Sequence, residues 1–204
     1  MGTTRLVAFS DGVVAIIITI MVLELRVPHE PTVAALRGLL PVALSYLLSF
    51  VNVGIYWNNH HHMLHVTPRV TGGILWANLH LLFWLSLVPF TTAWMGENHF
   101  AAAPTALYGV VLLMAAIAYY ILQRTILRSQ RPDSVLARAV GSDLKGKLSP
   151  LFYLTAIPMA FVSTWVSDAL YVAVALLWLT PDRRIERVMD DTATGSLTER
   201  ADTV

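Results

Sequence analysis

Three polar side chains at the start of an apolar N-terminal run are the residues of this sequence best placed to do chemistry. Arg5 stands directly before the run, which extends from Leu6 to Leu25, and Ser10 and Asp11 lie inside it. A carboxylate in hydrocarbon costs at least about 2.5–3.5 kcal/mol, so a spanning helix retains one where it meets a partner or water. Asp11 is therefore expected to accept hydrogen bonds from another helix or to take part in proton transfer.

Histidines form the second group of residues that could do chemistry. Four of them lie between residues 60 and 65, directly after Asn58 and Asn59, and Trp76, Asn78 and His80 follow soon after. His61 and His65 are spaced i, i+4 and would face one ligand from a helix, as in helical zinc or haem sites. The sequence supplies neither the carboxylate of a His-Glu motif nor a second His pair at matching depth, and it has no cysteine. We therefore expect no metal.

Composition places these residues in a membrane protein. Of the 204 residues, 56% are hydrophobic and 13% are charged, and the mean hydropathy is +0.61. A soluble domain has about 25% charged residues. The net charge of +1 and the lack of a basic stripe with interleaved aromatics give no sign of a nucleic-acid partner, and none is expected. We predict an all-α membrane protein whose surroundings are the lipid bilayer.

Six apolar stretches are candidates for transmembrane helices, which need roughly 20 mainly apolar residues each. Asp168 separates the last two, which are otherwise long enough together to form one tilted helix. The six stretches are Leu6–Leu25, Val33–Phe50, Ile74–Trp94, Pro104–Leu122, Leu148–Val166 and a short one that ends near Leu179.

The distribution of basic residues favours six spans over five. With six spans both termini lie on one side of the membrane, and every Lys and Arg except Arg26 and Arg37 lies on that side. With five spans the four C-terminal arginines would move across, which fits the positive-inside rule much less well. We predict six transmembrane helices with both termini cytoplasmic, in one domain over residues 1–187. The polar tail of residues 188–204 is expected to be disordered.

This topology brings the polar residues of three helices to one depth. The first span starts, the second ends and the third starts at the cytoplasmic surface, and buried polar atoms in a membrane protein must be satisfied internally. We expect a hydrogen-bond network in which Asp11 accepts from a histidine, Trp76 or Asn78. For His62 and His65 we instead expect contact with water and headgroups. The residues predicted to share this network are Arg5, Ser10, Asp11, His60, His61, Trp76 and Asn78.

A helix through the first span has two different faces. At 3.6 residues per turn, Gly12, Ile16, Ile20 and Leu23 form one apolar stripe, and Asp11 points about 140° away from Ile16. Taken alone, these residues favour a stripe that packs on other helices or faces lipid over one that lines a pore.

The order of residues in the first span resembles the first-helix signature of a known channel family. The pattern R-x-x-x-F-S-D and the residues that follow it are Arg5, Phe9, Ser10, Asp11, Ala15, Ile16, Thr19, Leu23 and Glu24. This pattern is similar to that of the transmembrane protein 175 family, the endolysosomal potassium channels and their bacterial relatives. The resemblance covers nearly the whole chain and implies a homotetramer of six-span subunits, in which helix 1 of each subunit lines a central pore.

The resemblance also implies a role for each residue of this helix. Ile16 is expected to form the constriction of the pore, with further apolar rings at Ile20 and Leu23. Thr19 would lend a hydroxyl near the constriction, and Gly12 would lie on the same lining face. The residues implied to hold the helices together are Arg5, Phe9, Ser10 and Asp11.

These roles together describe a passive channel. A ring of isoleucines gates by dewetting and makes ions shed part of their water, which favours K⁺ over Na⁺ modestly. Glu24 would raise the local cation concentration at the outer mouth, or it would pair with Arg26. We expect a potassium-selective cation channel of a bacterial plasma membrane, with K⁺ as the permeant ion, no cofactor and no enzyme activity. Proton leakage beside K⁺ is left open by the residues.

Two other functional classes stay open from the residues alone. A proton-coupled transporter would use Asp11 and the histidine cluster as a relay, and it would show saturable uptake driven by a pH gradient. A membrane enzyme or haem protein would be built on His60 to His65. Metal analysis or a visible absorption spectrum would identify that class.

Overall fold

The structure is a computed structural model, and it describes residues 2–65, 67–130 and 144–179. The regular secondary structure within these ranges is helical. The helices are α1 (Thr3–Leu23), α2 (Val33–Arg37), α3 (Leu40–His65), α4 (Gly72–Ser86), α5 (Val88–Glu97), α6 (Ala102–Arg128), α7 (Leu144–Met159) and α8 (Thr164–Leu179). The tail of residues 188–204 that was predicted to be disordered lies outside the described residues.

Four stretches of the described chain are long and apolar enough to cross a membrane: α1, α3, α4 with α5, and α6. They contain 21, 26, 26 and 27 residues, and at 1.5 Å per residue each reaches across a hydrocarbon core of about 30 Å. Helices α7 and α8 are apolar but shorter, with 16 residues each. The predicted all-helical architecture with membrane-spanning helices therefore agrees with the structure.

The second span differs from the prediction at both ends. Residues from Val33 form the separate short helix α2, in which the hydroxyl of Thr32 accepts a hydrogen bond from the Ala35 N–H at 3.3 Å. The long helix α3 begins at Leu40 and continues to His65 instead of ending near Phe50. The asparagines and histidines of this region therefore belong to α3, and the helix sets the direction of each side chain.

Proline divides the third span into two helices. Helix α4 ends at Ser86, and α5 begins at Val88 with Pro89 in its first turn. Proline has no backbone N–H and its ring clashes with the preceding turn, so it fits best in the first turn of a helix and kinks or breaks a helix interior. The two helices together still form a 26-residue apolar stretch.

The break between the last two helices was predicted at the wrong position. Helix α7 ends at Met159, α8 starts at Thr164, and Asp168 lies inside α8. The turn is closed by backbone hydrogen bonds, because the Met159 carbonyl accepts from the N–H groups of Val162 and Ser163 at 3.0 and 2.7 Å. Apolar residues continue up to this turn and resume directly after it, so composition gave no signal there.

Helix α6 is the centre of the bundle. It packs against α4, α5, α7 and α8, while α1 packs against α3, α4 and α5. Two glycines permit the closest approaches between helices. A Cβ on Gly109 of α6 would overlap the Tyr171 hydroxyl of α8, and a Cβ on Gly96 of α5 would overlap Ser45 Oγ and lie 2.8 Å from Val42 Cα of α3.

Gly96→Ala is expected to lower the free energy of unfolding by about 1–3 kcal/mol, because the added methyl group meets the backbone of α3 and forces the two helices apart. The melting temperature of the purified protein in detergent measures this. Gly54→Ala is the matched control, since a Cβ there meets nothing within 4 Å and gains up to about 1 kcal/mol of helix propensity. Equal melting temperatures for the two variants would contradict the close contact between α3 and α5.

Candidate functional site

Helix α1 has one buried and one uncovered face within a single chain. Its buried side chains recur every three or four residues and are Leu6, Ser10, Val14, Ile17 and Met21. The uncovered face, which we call the α1 stripe, comprises Gly12, Ile16, Thr19, Ile20 and Leu23. Ile16 is 58% exposed and Leu23 77%. The structure therefore places all five predicted pore-lining residues together, on a face that only lipid or another subunit covers.

The hydroxyl of Thr19 is already engaged by its own helix. Its Oγ1 donates to the carbonyls of Ala15 and Ile16, at 2.9 and 3.0 Å. A hydroxyl has one hydrogen and two acceptor lone pairs, so Thr19 presents oxygen lone pairs to its surroundings. That is the polarity that attracts a cation.

Asn78 is the centre of a buried polar chain that joins three helices. Its Nδ2 donates to Ser10 Oγ of α1 at 3.0 Å, and its Oδ1 lies 2.6 Å from His60 Nε2 of α3. Ser10 in turn donates to the Leu6 carbonyl at 2.9 Å. Because an amide oxygen only accepts, His60 carries its proton on Nε2. Ser10 and Asn78 are 0% exposed and His60 is 4% exposed, so these bonds lie where water cannot replace them.

Asp11 has a donor that was not predicted from the sequence. Trp57 Nε1 of α3 donates to Asp11 Oδ1 at 2.9 Å, in a partly exposed setting. The expectation that a histidine, Trp76 or Asn78 donates to Asp11 was wrong. Successive residues on a helix point about 100° apart, so Ser10 faces Asn78 of α4 while Asp11 is directed at α3. Trp57 is three residues before His60, which places both on the same side of α3.

His61 belongs to a column of rings on α3. Its ring centroid lies 5.8 Å from that of Trp57 and 4.6 Å from that of His65, and its Nδ1 is buried without a hydrogen-bond partner. The described residues contain no group of three or more His, Cys, Asp or Glu side chains that could hold a metal ion. The close pair His61 and His65 therefore gains no third ligand.

Three residues that were predicted to belong to the network or to hold the helices together are exposed within one chain. Trp76 is 75% exposed at the start of α4, and Phe9 is 51% exposed. Arg5 is exposed as well. The predicted residues therefore fall into two groups. Ser10, His60 and Asn78 are buried and hold α1 against α3 and α4, whereas Arg5, Phe9 and Trp76 are exposed and would make contacts only with another molecule.

Arg26 pairs with α5 and not with Glu24. Its Nη2 lies 3.2 Å from Glu97 Oε1, and both side chains are largely exposed. Exposed pairs of this kind contribute at most about 1 kcal/mol. Glu24, the C-terminal cap of α1, forms no salt bridge with the rest of the described chain, so its charge is not offset by Arg26.

A second buried polar cluster was not found by the sequence analysis. Ser49 Oγ of α3 lies 2.6 Å from Thr92 Oγ1 of α5 and 3.1 Å from the Tyr108 hydroxyl of α6. The Tyr171 hydroxyl of α8 donates to the Thr105 carbonyl at 3.0 Å. These bonds join α3, α5, α6 and α8, about three helical turns along α3 from His60. Isolated hydroxyl residues in apolar helices give no sequence signal for such partners.

Comparisons with known proteins identify the family. Residues 5–89 match the sequence profile described as the endosomal/lysosomal potassium channel TMEM175. The chain is 52% identical, over 187 residues, to a protein from a Chryseobacterium species that is named a potassium channel, and the match covers 92% of this chain and 97% of that protein. The chain belongs to the TMEM175 family. The resemblance inferred from the R-x-x-x-F-S-D pattern is thereby confirmed, and so is the prediction that this is not an enzyme.

This TMEM175 family member is also similar to a solved structure and to a human protein. The crystal structure of a lysosomal potassium-selective channel TMEM175 homologue from Chamaesiphon minutus superposes with a TM-score of 0.76 at 28% identity, covering 88% of this chain and 97% of that one. The human protein named endosomal/lysosomal proton channel TMEM175 is 36% identical over 92 residues, which are 39% of this chain and 18% of the human protein. The family is one of ion channels in membranes.

Asn78→Leu is expected to lower the free energy of unfolding by about 1–3 kcal/mol, because it leaves the buried His60 N–H without an acceptor. Thermal unfolding of the detergent-purified protein, followed by size-exclusion chromatography, measures this. Trp76→Leu on the same helix is the control, since Trp76 is largely exposed, and it should change the melting temperature little. The reverse order of the two effects would show that the buried chain through Asn78 does not hold α1 in place.

Proposed function

We propose that this TMEM175 family member is a passive, potassium-selective cation channel of a bacterial plasma membrane. Four subunits would surround one axis, with the α1 stripe of each lining the pore. K⁺ would be the permeant ion, and no cofactor would be needed. The observation that carries the proposal is the uncovered α1 stripe, an apolar face on the one helix that bears the family motif, in a chain whose relatives are named potassium channels.

The buried contacts of α1 support this orientation of the stripe. Ser10 and Asp11 are tied to α4 and α3, and these bonds fix the rotation of α1 about its own axis. A side chain on the opposite face, such as Ile16, is then held away from the rest of its own subunit. Large apolar side chains in this position need lipid or a partner subunit to cover them.

The spacing within the stripe suits a hydrophobic constriction. Ile16 and Ile20 are one turn apart, roughly 6 Å along the axis, and Leu23 follows roughly 5 Å further. Fourfold repetition of these residues would give three apolar rings. An apolar ring conducts only when wetted, and it favours the ion that gives up water more readily. We propose weak to moderate K⁺ over Na⁺ selectivity on this basis.

The position of charged residues supports six spans with both termini cytoplasmic. Thr3 Oγ1 donates to the Thr67 carbonyl at 3.1 Å, which places the start of α1 beside the α3–α4 connection. Gly73 at the start of α4 lies against Thr125 near the end of α6. The exposed basic residues at this end of the bundle are Arg5, Arg69, Arg124 and Arg128. A common basic end is expected on the cytoplasmic side, and α7 with α8 would then form a short pair of spans that returns the chain to it.

Proton permeation is a second candidate activity of the same pore. The name of the human relative, a proton channel, favours it, and Asp11 with the histidines of α3 supplies titratable groups close to the basic end of α1. A proton-coupled transporter would use the same groups. Ohmic currents that persist without a transported solute would distinguish the channel from the transporter.

Ile16→Asn is expected to bring the K⁺ to Na⁺ flux ratio close to one and to raise total flux, because a carboxamide wets the constriction. Flux into liposomes under opposed K⁺ and Na⁺ gradients measures both quantities. Leu151→Asn on α7 is the control, since Leu151 and Ile16 are equally exposed at 58%. An unchanged ratio in Ile16→Asn would exclude Ile16 as the constriction.

The absence of cysteine from the chain makes single-cysteine cross-linking a direct test of the assembly. Ile16→Cys is expected to form disulfide-linked dimers under mild oxidation, because cysteines bridge only when their Cα atoms approach within about 7 Å, as they would in a narrow ring. Denaturing gel electrophoresis of the protein in membranes gives the yield. Cross-linking of Leu151→Cys at the same yield would mean that disulfides form by random collision, and no cross-linking of Ile16→Cys would contradict a central ring of α1 helices.

A further inference from the structure

A large apolar groove runs between α3 and α8, away from the α1 stripe. It has a volume of about 650 Å³, within the range of about 300–1,000 Å³ that is usual for small-molecule sites. Leucine and valine side chains of both helices form most of its wall, among them Leu44, Leu47 and Val172. We call it the α3–α8 groove. No described part of the chain covers its open side, and such an apolar face in a membrane protein is covered by lipid or by another subunit.

One carboxylate interrupts this apolar wall. Asp168, in the second turn of α8, lines the groove. Its Oδ1 is covered by the protein and has no hydrogen-bond partner among the described residues. A covered carboxylate oxygen without a donor is strongly unfavourable. No Lys, Arg or His of the described chain forms a salt bridge with Asp168, so the charge of this carboxylate is not neutralised by the residues around the groove.

The carboxylate lies at one end of the groove. Leu40 and Pro41 at the start of α3 and His99 in the α5–α6 turn line the same end. This end of α3 is opposite the end that carries the histidines, so it lies at the outer surface in the proposed topology. From Asp168 the groove follows α8 to Leu179, a distance of roughly 16 Å at 1.5 Å per residue. A polar mouth that continues into an apolar groove matches the polar headgroup and apolar acyl chain of a lipid.

We propose that the α3–α8 groove binds one phospholipid with a primary amine headgroup, of the phosphatidylethanolamine type. One acyl chain would lie along the leucines, and the ammonium group would donate to Asp168. The His99 side chain at the mouth offers an N–H to the phosphodiester. A primary ammonium is favoured over a quaternary one, because only the former can give a charge-assisted hydrogen bond to the carboxylate. This site is separate from the pore and concerns the lipid partner of the channel.

Native mass spectrometry of the detergent-purified protein with added lipid tests the site. Wild type is expected to retain phosphatidylethanolamine about tenfold better than phosphatidylglycerol, the factor that one charge-assisted hydrogen bond supplies. Phosphatidylcholine should fall between the two. Asp168→Asn should remove the preference for the amine while keeping general lipid binding, and Glu30→Gln, an exposed loop carboxylate, should leave the preference intact.

A second variant tests the groove itself. Leu44→Trp fills the groove and should reduce retention of phosphatidylethanolamine, whereas Leu154→Trp should not, since Leu154 on α7 is similarly exposed but lies outside the groove. Equal retention of the three lipids by wild type, or an unaltered preference in Asp168→Asn, would overturn the amine contact. If Leu44→Cys forms disulfide-linked dimers in membranes in high yield, a second copy of the chain covers the groove and the lipid proposal is wrong.

Discussion

The carboxamide of Asn78 holds α1 in one rotational setting. It donates to Ser10 of α1 and accepts from His60 of α3, in a region without access to water. Inside a bilayer an unmade hydrogen bond has no solvent substitute, so rotating α1 would leave the Asn78 Nδ2 group without its Ser10 acceptor and would separate Asp11 from Trp57. The rotational setting of α1 that makes these hydrogen bonds directs Ser10 inward and Ile16 outward.

This constraint gives the bundle a distribution of polarity that is suited to a membrane. Hydroxyl and amide groups lie between helices, in the Asn78 chain and in the cluster around Ser49 and Tyr108. Large apolar side chains cover the outside, with Ile16 and Leu23 among the exposed ones. Helix α3 takes part in both polar clusters, since it carries Ser49 and His60 on the same face, about three turns apart. The pore-facing role proposed for α1 and the lipid-facing role proposed for the α3–α8 groove both follow from this arrangement.

Much of the candidate site was predictable because it depends on local sequence. Helical periodicity alone placed Gly12, Ile16 and Ile20 on one face, and the structure leaves that face uncovered. The partner of Asp11 was not predictable, because Trp57 is one of several donors at similar depth and only the rotation of α3 selects it. The break before α8 was misplaced at Asp168, since a charged residue in an apolar run marks either a turn or a buried functional position.

By itself the sequence determined the membrane class, the helical fold, the family and the apolar stripe of α1. These properties follow from hydropathy, a 3.6-residue period and a local motif, which need no knowledge of neighbouring helices. Only the tertiary structure decided which polar atoms pair, where Pro89 divides a span, and that α3 and α8 leave a groove with Asp168 in its wall. Such features depend on the rotation and axial register of one helix relative to another, and these are set by the packing of the whole bundle at once.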